Sequence, residues 1–164
     1  MAINTPADLF LWELSGQYDA EKKSTQMLGE IIGQVRSSGA AEVLRSLEQQ
    51  GQVKIRNLEG CFQAIGTQPR EIPCRAVDGM RAEFQEFLSQ GPSPECIEMY
   101  SVGAALKLSH FGQASYKGLV DKSVLMGETA CAQLLQTNLV MKEEGSGALI
   151  RISHDMSQRV LATA

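Results

Sequence analysis

Aromatic residues are scarce in this chain, at 5% with a single Trp. Sheet proteins draw more heavily on aromatic and β-branched side chains, so the scarcity leans toward helices. No apolar run approaches the roughly 18 residues that a membrane helix requires. The first residues, Met1-Ala2-Ile3-Asn4-Thr5-Pro6, lack the basic segment and apolar core of a signal peptide. Basic charge is not in excess: the net charge is −4, with both signs mixed along the chain, which argues against a nucleic-acid footprint. With two histidines and no serine-nucleophile motif, a hydrolytic triad has no support. The four cysteines, Cys61, Cys74, Cys96 and Cys131, include no CxxC pair and read as reduced structural thiols. Cys74, in a Pro-containing stretch, is expected to be the most exposed. Expectations from these absences are a cytoplasmic protein that binds neither nucleic acid nor membrane.

What the sequence does have is helical periodicity. Its 164 residues suffice for one domain with a full core, expected to span 1–164. Thr5-Pro6-Ala7-Asp8 combines a capping residue, a proline at the first helical position and an early acid. Leu9, Trp12, Gly16, Ala20, Met27, Ile31 and Val35 follow at helical spacing and are expected inward. The predicted helices cover about 5–36, 40–65, 75–89, 93–126 and 128–162. In the second, the expected inner stripe includes Leu44, Leu47, Gly51, Ile55, Leu58, Cys61 and Phe62. Gly91-Pro92-Ser93-Pro94 is the clearest break, with Ser93 as cap and Pro94 as first residue. Gly145-Ser146-Gly147 predicts a kink or break in the last helix, because two interior glycines cost about 2 kcal/mol. Gly145-x-Gly147 is not a phosphate loop, since neither a preceding strand nor a following Lys-Ser/Thr is present.

The fold predicted is all-α: a four-helix bundle of two long antiparallel pairs, with a short extra helix in the connector. A long connection between pairs is a ferritin-like trait, and such bundles can hold a di-metal site of inward carboxylates and histidines. Glu21, within Tyr18-Asp19-Ala20-Glu21-Lys22-Lys23, is the first candidate ligand.

Four strings carry a family likeness. They are Leu9-Phe10-Leu11-Trp12-Glu13-Leu14, Tyr18-Asp19-Ala20-Glu21-Lys22, Asn57-Leu58-Glu59-Gly60-Cys61-Phe62-Gln63-Ala64-Ile65-Gly66 and Ser109-His110-Phe111-Gly112-Gln113-Ala114-Ser115-Tyr116. In order and spacing, over about residues 5–145, the chain resembles the YciE/YciF family of ferritin-like bundles. The resemblance implies a stress-associated, often dimeric protein and a metal site on four helices. Carried over residue by residue, its first-helix glutamate falls on Glu21. The second-helix His and Glu fall on Leu47 and Gln50. The third-helix Glu-His-Tyr-Glu becomes Ser109-His110-Phe111-Gly112, and a fourth-helix Glu-Glu pair falls on Lys142-Glu143.

Glu21 and Glu143 are thus the remnant metal positions, and Leu47, Gln50, Ser109, Gly112 and Lys142 are degenerate ones. A buried unpaired carboxylate is unfavourable, so Glu21 needs a partner. Lys142 is read as solvated, with a Glu21–Lys142 ion pair as the alternative. His110 is expected at a helix interface as a packing residue, and His154 on the surface. Leu47 and Met141 are expected to fill the space left beside Ser109 and Gly112.

The expected function is a non-catalytic, stress-associated or scaffold protein without a cofactor, acting through a homodimer or a protein partner. A divergent iron or manganese oxidoreductase, and a carrier of a small ligand in the emptied centre, are the alternatives.

Overall fold

The computed structural model describes residues 3–163; residues 1, 2 and 164 of the expected domain span lie outside it. Five helices follow in order: α1 (Pro6–Ile32), α2 (Ser38–Ala64), α3 (Arg75–Ser89), α4 (Pro94–Leu125) and α5 (Thr129–Thr163). Among the described residues there is no strand.

Each start follows from local chemistry. Thr5 and Asp8 form a reciprocal capping box, with Asp8 N–H donating to Thr5 Oγ1 at 3.1 Å and Thr5 N–H donating to Asp8 at 3.0 Å. Ser37 and Ser93 accept from Ala40 and Cys96, and Pro94 occupies the first position of α4. Two glycines close helices in the left-handed region. Gly66, at φ 67°, lets Thr67 N–H reach the Phe62 carbonyl at 2.9 Å, and Gly127, at φ 77°, does the same for Glu128 and Ser123 at 2.9 Å.

α1 ends earlier than the periodicity predicts. The backbone N–H groups of Arg36 and Ser37 donate to the Glu98 carboxylate of α4 instead of extending the helix. The predicted break at 145–147 does not occur, and α5 runs through it unbroken. Gly145 faces Leu47 of α2, and Ser146 Oγ accepts from Gln113 of α4 at 2.7 Å while donating to the Glu143 carbonyl at 2.9 Å. Packing against two neighbouring helices outweighs the weak intrinsic propensity there.

α1 packs on α2 and α4, and α5 packs on those same two helices. All four contacts are antiparallel, as shown by Tyr18–Glu59, Glu13–Lys122, Asn57–Asn138 and Gln113–Ser146. The order is therefore up-down-down-up, which requires one long crossover between α2 and α4. α3 lies in that crossover and seals against α1 and α4 through Val77 and Phe84. Surface ion pairs Lys23–Asp78 and Arg81–Glu30 hold it from outside.

The interior has two apolar clusters. One gathers Phe10, Leu14, Leu58, Phe62, Tyr116 and Leu135 at one end of the bundle. The other gathers Met27, Ile31, Leu44, Val102, Leu108 and Leu149 toward the opposite end. Buried polar and charged side chains, from Gln17, Glu21, Lys54 and Lys142, fall between these sets along the helices, with Asn138 at the edge of the first. Trp12 departs from the predicted inward stripe and is 42% exposed. Cys96 is exposed whereas Cys74 is half-buried, reversing the expected order.

Close approach of α1 and α2 depends on Gly51, whose missing Cβ leaves room for the side chain of Thr25. Thr25 is β-branched and already committed to the Glu21 carbonyl at 2.7 Å, so it has little freedom to yield. Gly51→Ala should therefore destabilise the fold by about 1–3 kcal/mol despite alanine's better helix propensity. A lowered urea midpoint with unchanged slope would register this; an unchanged or raised midpoint would contradict the overpacking.

Candidate functional site

Glu21, Lys54 and Lys142 are 1%, 3% and 6% exposed, and they meet in the middle of the bundle. α1 supplies the carboxylate, α2 and α5 one ammonium each. Lys142 Nζ lies 2.9 Å from Glu21 Oε1. Gln17, one turn earlier on α1, donates to the same oxygen at 3.3 Å. Burial, and after it the negative charge of Glu21, raise the phenol pKa of Tyr116 of α4. The carboxylate is thus satisfied by an ammonium and an amide, as a buried anion must be.

Asn138 ties the layer together. Its Nδ2 donates to Tyr116 OH at 3.2 Å and to the Lys54 carbonyl at 3.1 Å, while its Oδ1 accepts from Asn57 at 2.7 Å. Helices α2, α4 and α5 are thereby linked through one residue.

Lys142 can fold inward because α4 is bare opposite it. A Cβ added at Gly112 would stand 2.7 Å from Lys142 Cε and 3.1 Å from its Nζ. Gln113 donates to the Lys142 carbonyl at 3.2 Å, and Ser109 Oγ donates to it at 3.4 Å. Gly145 gives Leu47 similar room, since a Cβ there would stand 2.5 Å from Leu47 Cδ2. Leu47 and the stem of Lys142 therefore fill the centre. What remains between Lys54, Ser109 and Lys142 is a cavity of about 20 Å³. That accommodates about one water-sized occupant, so of the small ligands expected as an alternative only one of about that size fits.

The remaining sequence-predicted positions go elsewhere. Glu143 is exposed and pairs with Lys117 at 3.5 Å, because adjacent helical residues point about a quarter turn apart and Lys142 takes the inward direction. It does not join Glu21. Gln50 is half-buried, with its Oε1 buried and unpartnered among the described residues. His110 is exposed, not at an interface as expected, since Ser109 holds the inward place. His154 is exposed. Lys142 is buried, which corrects its reading as solvated.

Sequence reasoning missed Lys54, together with Gln17, Asn57, Asn138 and Tyr116. Lys54 had a detectable signal: Leu44, Leu47, Gly51, Lys54, Leu58 and Cys61 form one unbroken stripe at helical spacing, and all are buried. Ile55, assigned to that stripe from sequence, is only half-buried.

The residues do not suit a di-metal centre. Among the described residues no group of three or more His, Cys, Asp and Glu side chains converges. The positions around Glu21 present ammonium groups, which repel a cation and offer it no lone pair while protonated.

Fold and site together define a crossover-connected antiparallel helical bundle with an ionic layer at its centre. The chain belongs to the DUF892 family, a domain of unknown function, whose model matches residues 5–162. It is similar to protein YciF of Escherichia coli (strain K12), at 23% identity over 140 residues, covering 85% of this chain and 84% of the relative. The solved structure of the E. coli stress protein YciF superposes with a TM-score of 0.90 at 20% identity, covering 95% of this chain and 99% of that one. YcfI from Rhodopseudomonas palustris, described provisionally as a structural protein, superposes with a TM-score of 0.86 at 26% identity, covering 90% and 94%.

Burial holds the Lys54 ammonium down to about 8, with Lys142's charge adding to the effect and Glu21's opposing it. An unfolded lysine titrates near 10.5. Between about pH 8 and 10 the unfolded chain therefore binds more protons than the native one, and stability rises with pH across that window. Below it the full penalty persists, roughly 3 kcal/mol. Lys54→Met should stabilise the protein at neutral pH by up to about that amount and flatten the rise. Urea midpoints at neutral pH and at about pH 9.5 measure both; parallel profiles for variant and parent would refute the assignment.

Proposed function

We propose that this is a non-catalytic, stress-associated protein on a ferritin-like scaffold, in which an ionic layer has taken the place of a di-iron centre. The observation that carries the reading is the buried Glu21–Lys142 pair at 2.9 Å, with Lys54 beside it. Lys142 stands where the family pattern has an anionic ligand, so the protein's own ammonium neutralises Glu21. Support for the stress and structural roles comes from the relatives: one solved structure is described as a stress protein and another, provisionally, as a structural protein.

Such a protein acts through its surface, by self-association as a homodimer or through a protein partner. No helix among the described residues is long and apolar enough to cross a membrane. Leu125, 79% exposed, and Val124, 61% exposed, lie at the turn between α4 and α5 and offer apolar area for self-association. A cytoplasmic location fits this reading.

Metal analysis of protein purified from iron- and manganese-supplemented cells is the direct test. The expected content is below about a tenth of the two metals per chain that a four-helix carboxylate site holds. Stoichiometric iron or manganese would replace this reading with the oxidoreductase. Light scattering should give twice the chain mass; a strict monomer would remove the homodimer.

The ionic layer also predicts a stability pattern. Glu21→Gln removes the carboxylate that faces both buried ammoniums and should destabilise by about 3–5 kcal/mol. Adding Lys142→Met should recover much of that loss, because the pair is then removed as a unit. Additive losses in the double variant would show that the two side chains act independently.

A further inference from the structure

Counting formal charges, the centre holds one carboxylate and two ammoniums, and only one of those ammoniums is paired. Lys142 belongs to Glu21. Among the described residues, the Lys54 side chain makes no hydrogen bond and no ion pair, although it is only 3% exposed. It lines the cavity of about 20 Å³.

The polar side chains around that cavity are Lys54, Lys142 and Ser109; no carboxylate lines it, and the rest of its wall is aliphatic side chains with Met141. Ammoniums only donate hydrogen bonds, and a hydroxyl can donate one. A water there would accept readily, but its two protons would find Ser109 Oγ as the one side-chain acceptor. A monatomic anion needs donors alone. Ser109 can turn its proton inward at small loss, because its bond to the Lys142 carbonyl is long at 3.4 Å and Gln113 already serves that carbonyl at 3.2 Å. Size excludes polyatomic anions, since the space is about that of one water molecule.

We propose that this cavity is a halide site, occupied by chloride held between Lys54, Lys142 and the Ser109 hydroxyl. The ion brings the buried layer to neutrality: Glu21 and the halide carry the two negative charges, and the two lysines the positive ones. This inference rests on the metal-free reading of the centre and deepens it, for a site built to hold cations would then hold an anion. Met141, half-buried, forms the part of the wall nearest solvent and is the adaptable side chain through which the ion exchanges.

The test combines diffraction with a solution titration of the full chain. Crystals grown or soaked in sodium bromide, measured at the bromine edge, should show an anomalous peak inside the cavity in contact with Lys54 Nζ. In solution, melting temperature should rise and saturate with chloride at constant ionic strength, the balance being gluconate, within the tens-of-millimolar range. Ser109→Ala should weaken the chloride response several-fold, and Lys54→Met should abolish both the peak and the response. Should Lys54→Met fail to fold, the peak and titration of the parent protein still decide. An empty or water-filled cavity in bromide, or melting curves identical in chloride and gluconate, overturns the proposal, as does a bromide peak without any chloride response in solution. Those failures would leave a metal-free centre standing; stoichiometric iron in the purified protein would instead remove the reading on which the halide site rests.

Discussion

Burying Glu21 in the middle of the bundle is the constraint on which much of this interior depends. A carboxylate removed from water loses several kcal/mol of solvation, recovered only if charge and hydrogen bonds replace what water supplied. Lys142 and Gln17 supply them from two helices, with the Tyr116 phenol beside them. Each of these groups then needs its own surroundings. Asn138 supports Tyr116, Asn57 supports Asn138, and Gln113 and Ser109 hold the backbone at Lys142. The network is a chain of obligations that begins with one negative charge.

Packing around the layer follows from the same source. Lys142 can turn inward only where the facing helix is bare, and Gly112 provides that gap. Leu47 advances into the centre only because Gly145 is bare as well. Both glycines thus serve steric roles. The space at the centre is shared among a leucine, a lysine stem and a residual cavity of about 20 Å³. Close packing is nearly restored, as expected for a protein interior.

The helices were legible in the sequence because capping residues and apolar periodicity agreed at α1 and α4, and periodicity alone marked α2. Glu21 was found through its place in the family pattern. Lys54 was not, although it interrupts the Leu47–Leu58 stripe at the correct spacing, because a lysine is ordinarily discounted as a core residue. The same habit placed Lys142 in solvent and Ile55 inside. The unbroken α5 was missed for a related reason: glycine propensity is a local quantity, whereas Gly145 and Ser146 are held by contacts with Leu47 and Gln113, distant in sequence. His110 and Trp12 show the opposite error, in which residues with attractive side chains were placed inward and are exposed. Sequence patterns report where a face lies more reliably than what compensates a charge on it.

A buried polar layer between two apolar clusters also bears on uniqueness of structure. Apolar contacts tolerate sliding and repacking, since one leucine substitutes for another with modest loss. The Glu21–Lys142 pair and the Asn57–Asn138 bond do not, because sliding α5 by one turn would leave several buried groups without partners at once. The layer therefore fixes the register of α5 against α1, α2 and α4, a role a metal centre performs through its ligand bonds. An ion pair is seldom a net source of stability compared with apolar residues of the same shape. Register is thus the stronger physical reason for this bundle to hold charge at its centre.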